Sequence, residues 1–379
     1  MRVGSGRAGN PGGLRGFCPG CMIGFPFPGF IENPPGGPRP GAGFPEQYGG
    51  ALIRAGWYEK QGPAGEVIRV GEMDAPEPGA GEVRIRLAVS GVNPSDAKNR
   101  LGARGPMKFP RVVPHSDGAG EIDRVGPDVD PARVGERVWV FNGQWDRPFG
   151  TAAEFIALPA GQAVRLPEGV TDVEGACVGI PGMTAHRCVF ADGPVQEKIV
   201  LVTGGAGTVG HCAVQLAKWG GASVLATVSS DEKAERARGA GADHVVNYRT
   251  ENVAERVREV TGGEGVDRIV EVDFGGNIQA SLGALKNNGA IATYASMGEM
   301  EPKLPFYPFM FLNTVVRQVF LYTMPEEAKR QACEDLVRVM EAGKLTFPIA
   351  AEFPLADLAA AHEAVEGGQA VGNVVVGIG

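Results

Sequence analysis

From Glu82 to Val89 the sequence EVRIRLAV sets Val83, Ile85, Leu87 and Val89 against polar Arg84 and Arg86, an alternation that predicts a strand with one buried face. Shorter β-like pieces follow at Arg111–Val113, Arg137–Phe141 and Glu154–Leu158, parted by Gly, Pro and Asp turns, so residues 52–177 read as β-rich. Beyond Ile199 the rhythm changes. Apolar runs IVLVT (199–203), SVLATV (223–228), HVVNY (244–248), RIVEV (268–272) and AIATYA (290–295) alternate with helical segments. Strands separated by helices imply parallel pairing and a doubly wound α/β sheet. An amphipathic helix over Pro325–Ala342 and a last apolar strand over Asn373–Ile378 are predicted to close the chain.

Composition changes this picture at the start of the chain. Residues 1–50 hold 15 Gly and 9 Pro, and ordered patterning begins only near Leu52. The segment reads as a flexible leader or an over-long gene start. Arg2, Arg7 and Arg15 precede an apolar patch over Phe17–Ile31, but Pro19, Pro26 and Pro28 interrupt it and no small-x-small cleavage site follows, so export is not expected. Ile199–Ala217 carries no formal charge over nineteen residues, yet Gly204, Gly205, Gly207 and Gly210 divide it into strand, turn and helix rather than a membrane span. At 379 residues the chain is expected to form about two domains. Its 36 basic and 44 acidic residues give a net charge of −8, which argues against nucleic acid or an anionic membrane as partner. Six irregularly spaced cysteines fit reduced thiols in a cytoplasmic protein. Cys18-Pro19-Gly20-Cys21 is a CxxC without a second pair, read as chance within the leader or as weak metal or redox capture.

The most informative chemistry lies in Val200–Gly210, where Gly205, Gly207 and Gly210 form G-x-G-x-x-G directly after a buried strand and at the start of a helix. Missing Cβ atoms permit a tight turn and close approach to a pyrophosphate, which backbone N–H groups at the helix start would face. The rival reading is an ordinary tight strand-to-helix turn, and the placement favours a dinucleotide. About 20 residues on, where an acid would bind the ribose hydroxyls of NAD, the second strand runs into Ser229-Ser230-Asp231-Glu232-Lys233. Lys233 suits a 2′-phosphate, so NADPH is favoured; Ser229 with Glu232 also reads as a capping box, which needs no ligand.

Taken in order, Trp57-Tyr58, Pro76-Glu77-Pro78-Gly79, Gly91-Val92-Asn93-Pro94-Ser95-Asp96, Pro114–Gly120, Gly135-Glu136-Arg137-Val138, Gly179–Ala185 and the glycine turn resemble the medium-chain dehydrogenase/reductases. Within them the chain is similar to the zinc-independent quinone oxidoreductases of the zeta-crystallin type. The resemblance covers residues 54–379 and implies a GroES-like β-rich catalytic domain from 51–177 and 319–379, a Rossmann domain over 178–318, and an active site between them. It also implies a homodimer. At the three positions where zinc members carry Cys, His and Cys, this sequence has Asn93, Ser116 and Ile180, and it lacks the four-cysteine lobe of a structural zinc. His115, His186, His211, His244 and His362 read as isolated packing or surface residues.

Without a metal the expected chemistry shifts. Oxidising a simple alcohol passes through an alkoxide whose parent acid is about as weak as water, the charge a Lewis-acid metal stabilises. Hydride addition to a quinone or enone gives a delocalised anion, with a phenol pKa of about 10, that hydrogen-bond donors can hold. The resemblance therefore implies an NADPH-dependent reductase of a small quinone or other conjugated carbonyl. The cleft candidates are Asn93 and Asp96, then Lys98 and Arg100; Asn93-Pro94 reads equally as a structural turn. Carried over as cofactor contacts are Thr184, Gly205, Ala206, Gly207, Thr208, Val209, Gly210, Ser229, Ser230, Lys233, Tyr248, Tyr294, Met297, Phe320 and Tyr322, the aromatics having core packing as their alternative. Relatives often carry Tyr where Lys98 stands, and Gly-Lys where this chain has Gly372-Asn373. Two other functions stay open: a zinc-free 2-enoyl thioester reductase, and a nucleotide-binding structural or sensor protein without turnover.

Overall fold

The computed structural model describes residues 51–368 and 370–379, so the leader and its CxxC lie outside the described residues. The α/β architecture contains two main sheets. In the first, strand Glu82–Val92 pairs antiparallel with Asp117–Val125 and Phe155–Pro159, and the sheet continues through Arg137–Val140 to Ala163–Arg165. The alternation read at 83–89 is realised in part: Val83, Ile85 and Leu87 are buried against Ile122, Ile156 and Leu158, but Arg84 is buried too, paired with Glu77 and Asp123, and after a register shift Val89 packs with Ala119 and Trp139 instead. The last strand, Asn373–Gly377, pairs antiparallel with 89–92 and carries Ile349–Pro354 on its far side, so both chain ends build one sheet. A separate antiparallel pair, Leu52–Trp57 with Arg69–Asp74, covers one end. Arg111–Val113 is not the strand expected; only Val112 forms an isolated bridge, to Tyr58, because Pro110 and Pro114 bracket it and remove ladder donors.

The second sheet is wholly parallel. Its strands Ile199–Val202, Ser223–Val228, His244–Asn247, Val266–Glu271, Leu285–Thr293 and Val315–Gln318 lie in the spatial order third, second, first, fourth, fifth, sixth. Helices on both faces explain why these strands read as continuous apolar runs. Val200, Val202, Val224 and Ala226 pack on helices Gly179–Phe190 and Thr208–Trp219, while Leu201, Leu225, Ile269 and Ile291 pack toward Val257 and Ile278 on the opposite face. Periodicity missed the sixth strand because Val315–Gln318 lies at the sheet edge with an exposed Val315. The order reverses between the first and fourth strands, and the glycine turn leaves the first strand at that point, where open α/β sheets bind ligands. Helix Glu326–Glu341 packs on Gly179–Phe190, where Gly182 admits Leu336. Among the described residues no helix is long and apolar enough to cross a membrane.

Candidate active site

The glycines divide by task. Gly204 has φ +66°, a left-handed turn that suits glycine. A Cβ on Gly205 would lie 2.7 Å from Ala226, and one on Gly210 would lie 2.2 Å from the Gly204 carbonyl, so both are fixed by strand–helix packing. Gly207 differs. Its Cβ would meet only the Gly204 oxygen, at 3.4 Å, so protein packing does not require glycine there; the open side is the side a pyrophosphate would need. Behind the turn, buried Glu271 accepts from Thr203 Oγ1 at 2.9 Å and from Asp273 N at 2.7 Å. Burial raises its carboxyl pKa. Sequence reading missed this brace, since Glu271 lies 68 residues from Thr203 and ends an apolar run.

Beyond the second strand, Lys233 Nζ donates to Ser229 Oγ at 3.1 Å, bringing together a cation and a hydroxyl singled out for a 2′-phosphate. The cap of the following helix is Ser230, whose Oγ accepts from Lys233 N at 3.4 Å, and not Ser229 as the capping-box reading had it. That correction frees Ser229 from helix capping. Tyr248 N donates to Val228 O at 3.1 Å, which places the half-exposed Tyr248 beside the same strand end. Thr184 is buried on helix Gly179–Phe190, and Tyr294 is partly buried against the core, its phenol pKa pushed well up by burial.

Across the seam, two of the three positions where zinc members carry ligands, Asn93 and Ile180, converge on a carboxyl group. Asp117 Oδ2 accepts from Asn93 Nδ2 and from the Ile180 backbone N–H, each at 2.8 Å. Asp117 is fully buried, and desolvation raises its pKa well above the usual carboxylate range. A Cβ on Gly179 would fall 2.1 Å from Asp117 Oδ1, so this packing explains that glycine. Asn93 thus spends its amide on Asp117, while its backbone N–H donates to Asp96 Oδ2 at 2.8 Å. Asp96 is 2% exposed; burial pushes its pKa up to about 7, and Oδ1 has no hydrogen-bond partner among the described residues. Neither His115 nor Cys177 joins this cluster with a ring nitrogen or thiol: Cys177 Sγ donates to Val173 O at 3.2 Å, and His115 faces inward. No three His, Cys, Asp or Glu side chains gather for a metal among the described residues.

Two expectations need correction. Arg100 does not line the seam with Lys98. Its buried guanidinium bonds the Gly62 carbonyl and Glu366 and reaches His362 Nδ1 at 3.5 Å, tying its helix to Leu358–Glu366. Nor are the histidines isolated: His115 and His362 stack with ring centroids 5.0 Å apart and Nε2 atoms 3.0 Å apart, and Ser90 Oγ meets His115 Nδ1 at 2.8 Å. Both rings have depressed pKa values from burial, His362 to about 3. Residues 247 apart in sequence gave no local sign of this pairing.

The two sides meet through side chains. Lys98 Nζ donates to Met297 Sδ at 3.4 Å, and Tyr322 Oη donates to Ser95 Oγ at 3.4 Å. Met297 and Tyr322, expected at the cofactor, therefore stand beside helix Pro94–Arg100, and Phe320, also expected there, packs on Tyr322 with ring centroids 5.1 Å apart. Trp145 stacks on Tyr322 at 4.4 Å and meets Phe320 edge-on at 5.5 Å. Arg104 lies over the Phe320 and Tyr322 rings at 5.7 and 5.8 Å. Trp145 and Arg104 escaped sequence reading because both sit in irregular turns without periodic pattern.

Comparison with known proteins adds the relatives. Residues 79–168 match the alcohol dehydrogenase GroES-like domain, and residues 208–340 match the zinc-binding dehydrogenase family. The chain is 33% identical over 330 residues to a 2-haloacrylate reductase of Burkholderia sp, covering 84% of this chain and 97% of the relative. It is 30% identical over 325 residues to the quinone oxidoreductase of Homo sapiens, covering 84% of this chain and 95% of that protein. A mycobacterial protein solved in complex with NADPH superposes with a TM-score of 0.75 at 30% identity, over 86% of this chain and 99% of that one.

Proposed function

The chain belongs to the medium-chain dehydrogenase/reductases, in the zinc-independent quinone oxidoreductase family, and from that premise we propose that it transfers hydride from NADPH to a quinone or another conjugated carbonyl acceptor. The observation that carries this reading is Gly207, the one glycine of the fingerprint whose missing side chain serves no packing contact but leaves room at a helix start. In this reading the backbone of Gly205–Gly210 holds the pyrophosphate, and Ser229, Ser230 and Lys233 hold the 2′-phosphate. Thr184, Tyr248 and Tyr294 line the rest of the nucleotide path. The residues present fit NADPH; when bound, it supplies the hydride. The NADPH complex of the mycobacterial neighbour supports the choice of cofactor.

The chain's own part is to orient, to exclude water and to supply a proton. Asn93 and Asp117 fix the start of helix Pro94–Arg100 and so set where Asp96 and Lys98 stand. Asp96, whose pKa burial raises to about 7 and whose Oδ1 has no partner among the described residues, is the acid offered to the anion left by hydride addition. Lys98 offers an ammonium beside Met297. Trp145, Phe320 and Tyr322 give the acceptor a flat apolar wall. We further propose that the chain forms a homodimer through the sheet edge at Val315–Gln318, beside exposed Phe306, Tyr307, Met310 and Phe311.

Steady-state NADPH oxidation against phenanthrenequinone, a small enone and crotonyl-CoA tests the reading. Turnover of the quinone or the enone is expected. Turnover of crotonyl-CoA alone would favour an enoyl thioester reductase. NADPH binding without turnover of any acceptor would favour a sensor.

A further inference from the structure

We propose that the acceptor carries a carboxylate, held by Lys98 and Arg104 against the aromatic wall of Trp145, Phe320 and Tyr322. This rests on the reductase reading and narrows its substrate to a conjugated 2-enoate.

The argument starts from unbalanced charge. Lys98 and Arg104 form no ion pair with any carboxylate among the described residues, although the chain is acidic and their neighbours in sequence Arg100 and Lys108 are paired. Arg104 Nη1 is buried without a hydrogen-bond partner, an unusual state for a group with five donors. Lys98 spends one proton on a thioether sulfur, a weak acceptor, and makes no other hydrogen bond among the described residues. Each cation also raises the cost of the other: burial first and then the Arg104 charge hold the Lys98 ammonium below its ordinary pKa. Asp96, the nearest acid in the sequence, forms no ion pair with either: its Oδ2 accepts from the Asn93 N–H, and burial raises its pKa to about 7 against the pull of the Arg104 charge. Two partly desolvated cations without a counterion destabilise the fold, and a site that keeps them so is built for an anion supplied from outside.

The aromatic side decides which anion. Phe320 and Tyr322 hold the Arg104 guanidinium over their faces, and Trp145 stacks on Tyr322, so the surface that Arg104 lies on is flat and aromatic. A planar conjugated acid matches both halves, whereas inorganic phosphate would not. Charge development points the same way. A neutral quinone that takes hydride acquires one negative charge, for which one donor suffices. An enoate already carries one charge and gains a second: hydride from NADPH bonds to the β-carbon, the C=C π pair moves to the α-carbon and carboxylate, and NADP⁺ is left. A proton then completes the α-C–H bond and restores the carboxylate. Two cations answer that transient double charge.

The test is calorimetric titration of the NADP⁺-loaded protein with crotonate and with the neutral analogue 3-penten-2-one, for the native chain and for Lys98→Gln, Arg104→Gln and Arg104→Lys. Crotonate is expected to bind, and Arg104→Gln and Lys98→Gln are each expected to weaken crotonate at least tenfold more than the ketone, with Arg104→Lys restoring part of the loss. Absence of crotonate binding to the native chain, or equal losses for both ligands, would overturn the proposal. Crotonate binding that depends on these cations, in a protein that oxidises no NADPH with any of the acceptors supplied, would uphold the carboxylate site and refute the reductase reading.

Discussion

In the proposed function, the nucleotide side and the acceptor side of the seam recognise their ligands by different means. On the nucleotide side the work falls to backbone within one strand–turn–helix unit, Val200–Gly210, and to three side chains at the next strand end. On the acceptor side it falls to side chains from residues 93–104, 145, 297 and 320–322, brought together only by the fold. Local backbone chemistry leaves a spacing that a sequence prints. Convergent side chains leave none. The same contrast predicts that nucleotide-side variants separate cleanly into folding and binding effects, whereas acceptor-side variants mix the two.

The largest expected effect lies in the glycine turn. Gly210→Val would drive a side chain into the Gly204 carbonyl and is expected to cost about 3 kcal/mol or more of stability, seen as loss of the cooperative melt. Gly207→Val is expected to melt near the native temperature yet lose NADPH affinity by about a hundredfold, because its side chain enters only the open side of the turn. Equal melting losses in both variants would erase the division of labour among these glycines. Next, Asp117→Ala leaves the Asn93 amide and the Ile180 N–H without their buried acceptor and is expected to cost about 2–4 kcal/mol in denaturant unfolding.

Asp96 supplies a pH test of the acceptor side. Its folded pKa, about 7, lies above the unfolded value, so the folded state binds more protons between about pH 4 and 7 and the native chain loses stability as pH rises through that window. Asp96→Asn removes this dependence, and the variant is expected to gain about 2–3 kcal/mol on the native chain between pH 5 and pH 8. A constant difference across that range would place the carboxyl in a more polar setting than its burial implies. The buried histidines work in the opposite sense: His115 and His362 stay neutral when folded, so acid below about pH 6.5 protonates the unfolded chain first and destabilises the protein. The smallest effect belongs to Lys233→Ala, expected to reduce the preference for NADPH over NADH about tenfold, read as the ratio of kcat/KM.

Much of the fold was legible because burial dictates pattern. The strand at 82–92, the parallel runs from 199 to 293 and the closing helix and strand all followed from which positions must avoid water. The failures have equally physical causes. Val315–Gln318 is an edge strand with an exposed face, so its composition carries no buried run. Prolines flanking Arg111–Val113 deny it the ladder its β-branched residues suggested. Arg100 sits one helical turn from Asp96, yet its partners are Gly62, His362 and Glu366, reached only through tertiary contacts. Asp117 lay inside a motif noted for its neighbours, and nothing local marks it as the group on which Asn93 and Ile180 converge.

Titration calorimetry of NADPH into purified protein stripped of nucleotide is the most direct measurement of the account. Saturable binding at one site per chain, lost in Gly207→Val while that variant keeps its melting temperature, is the predicted result. No saturable heat with the native chain, or unchanged affinity in the variant, would contradict it.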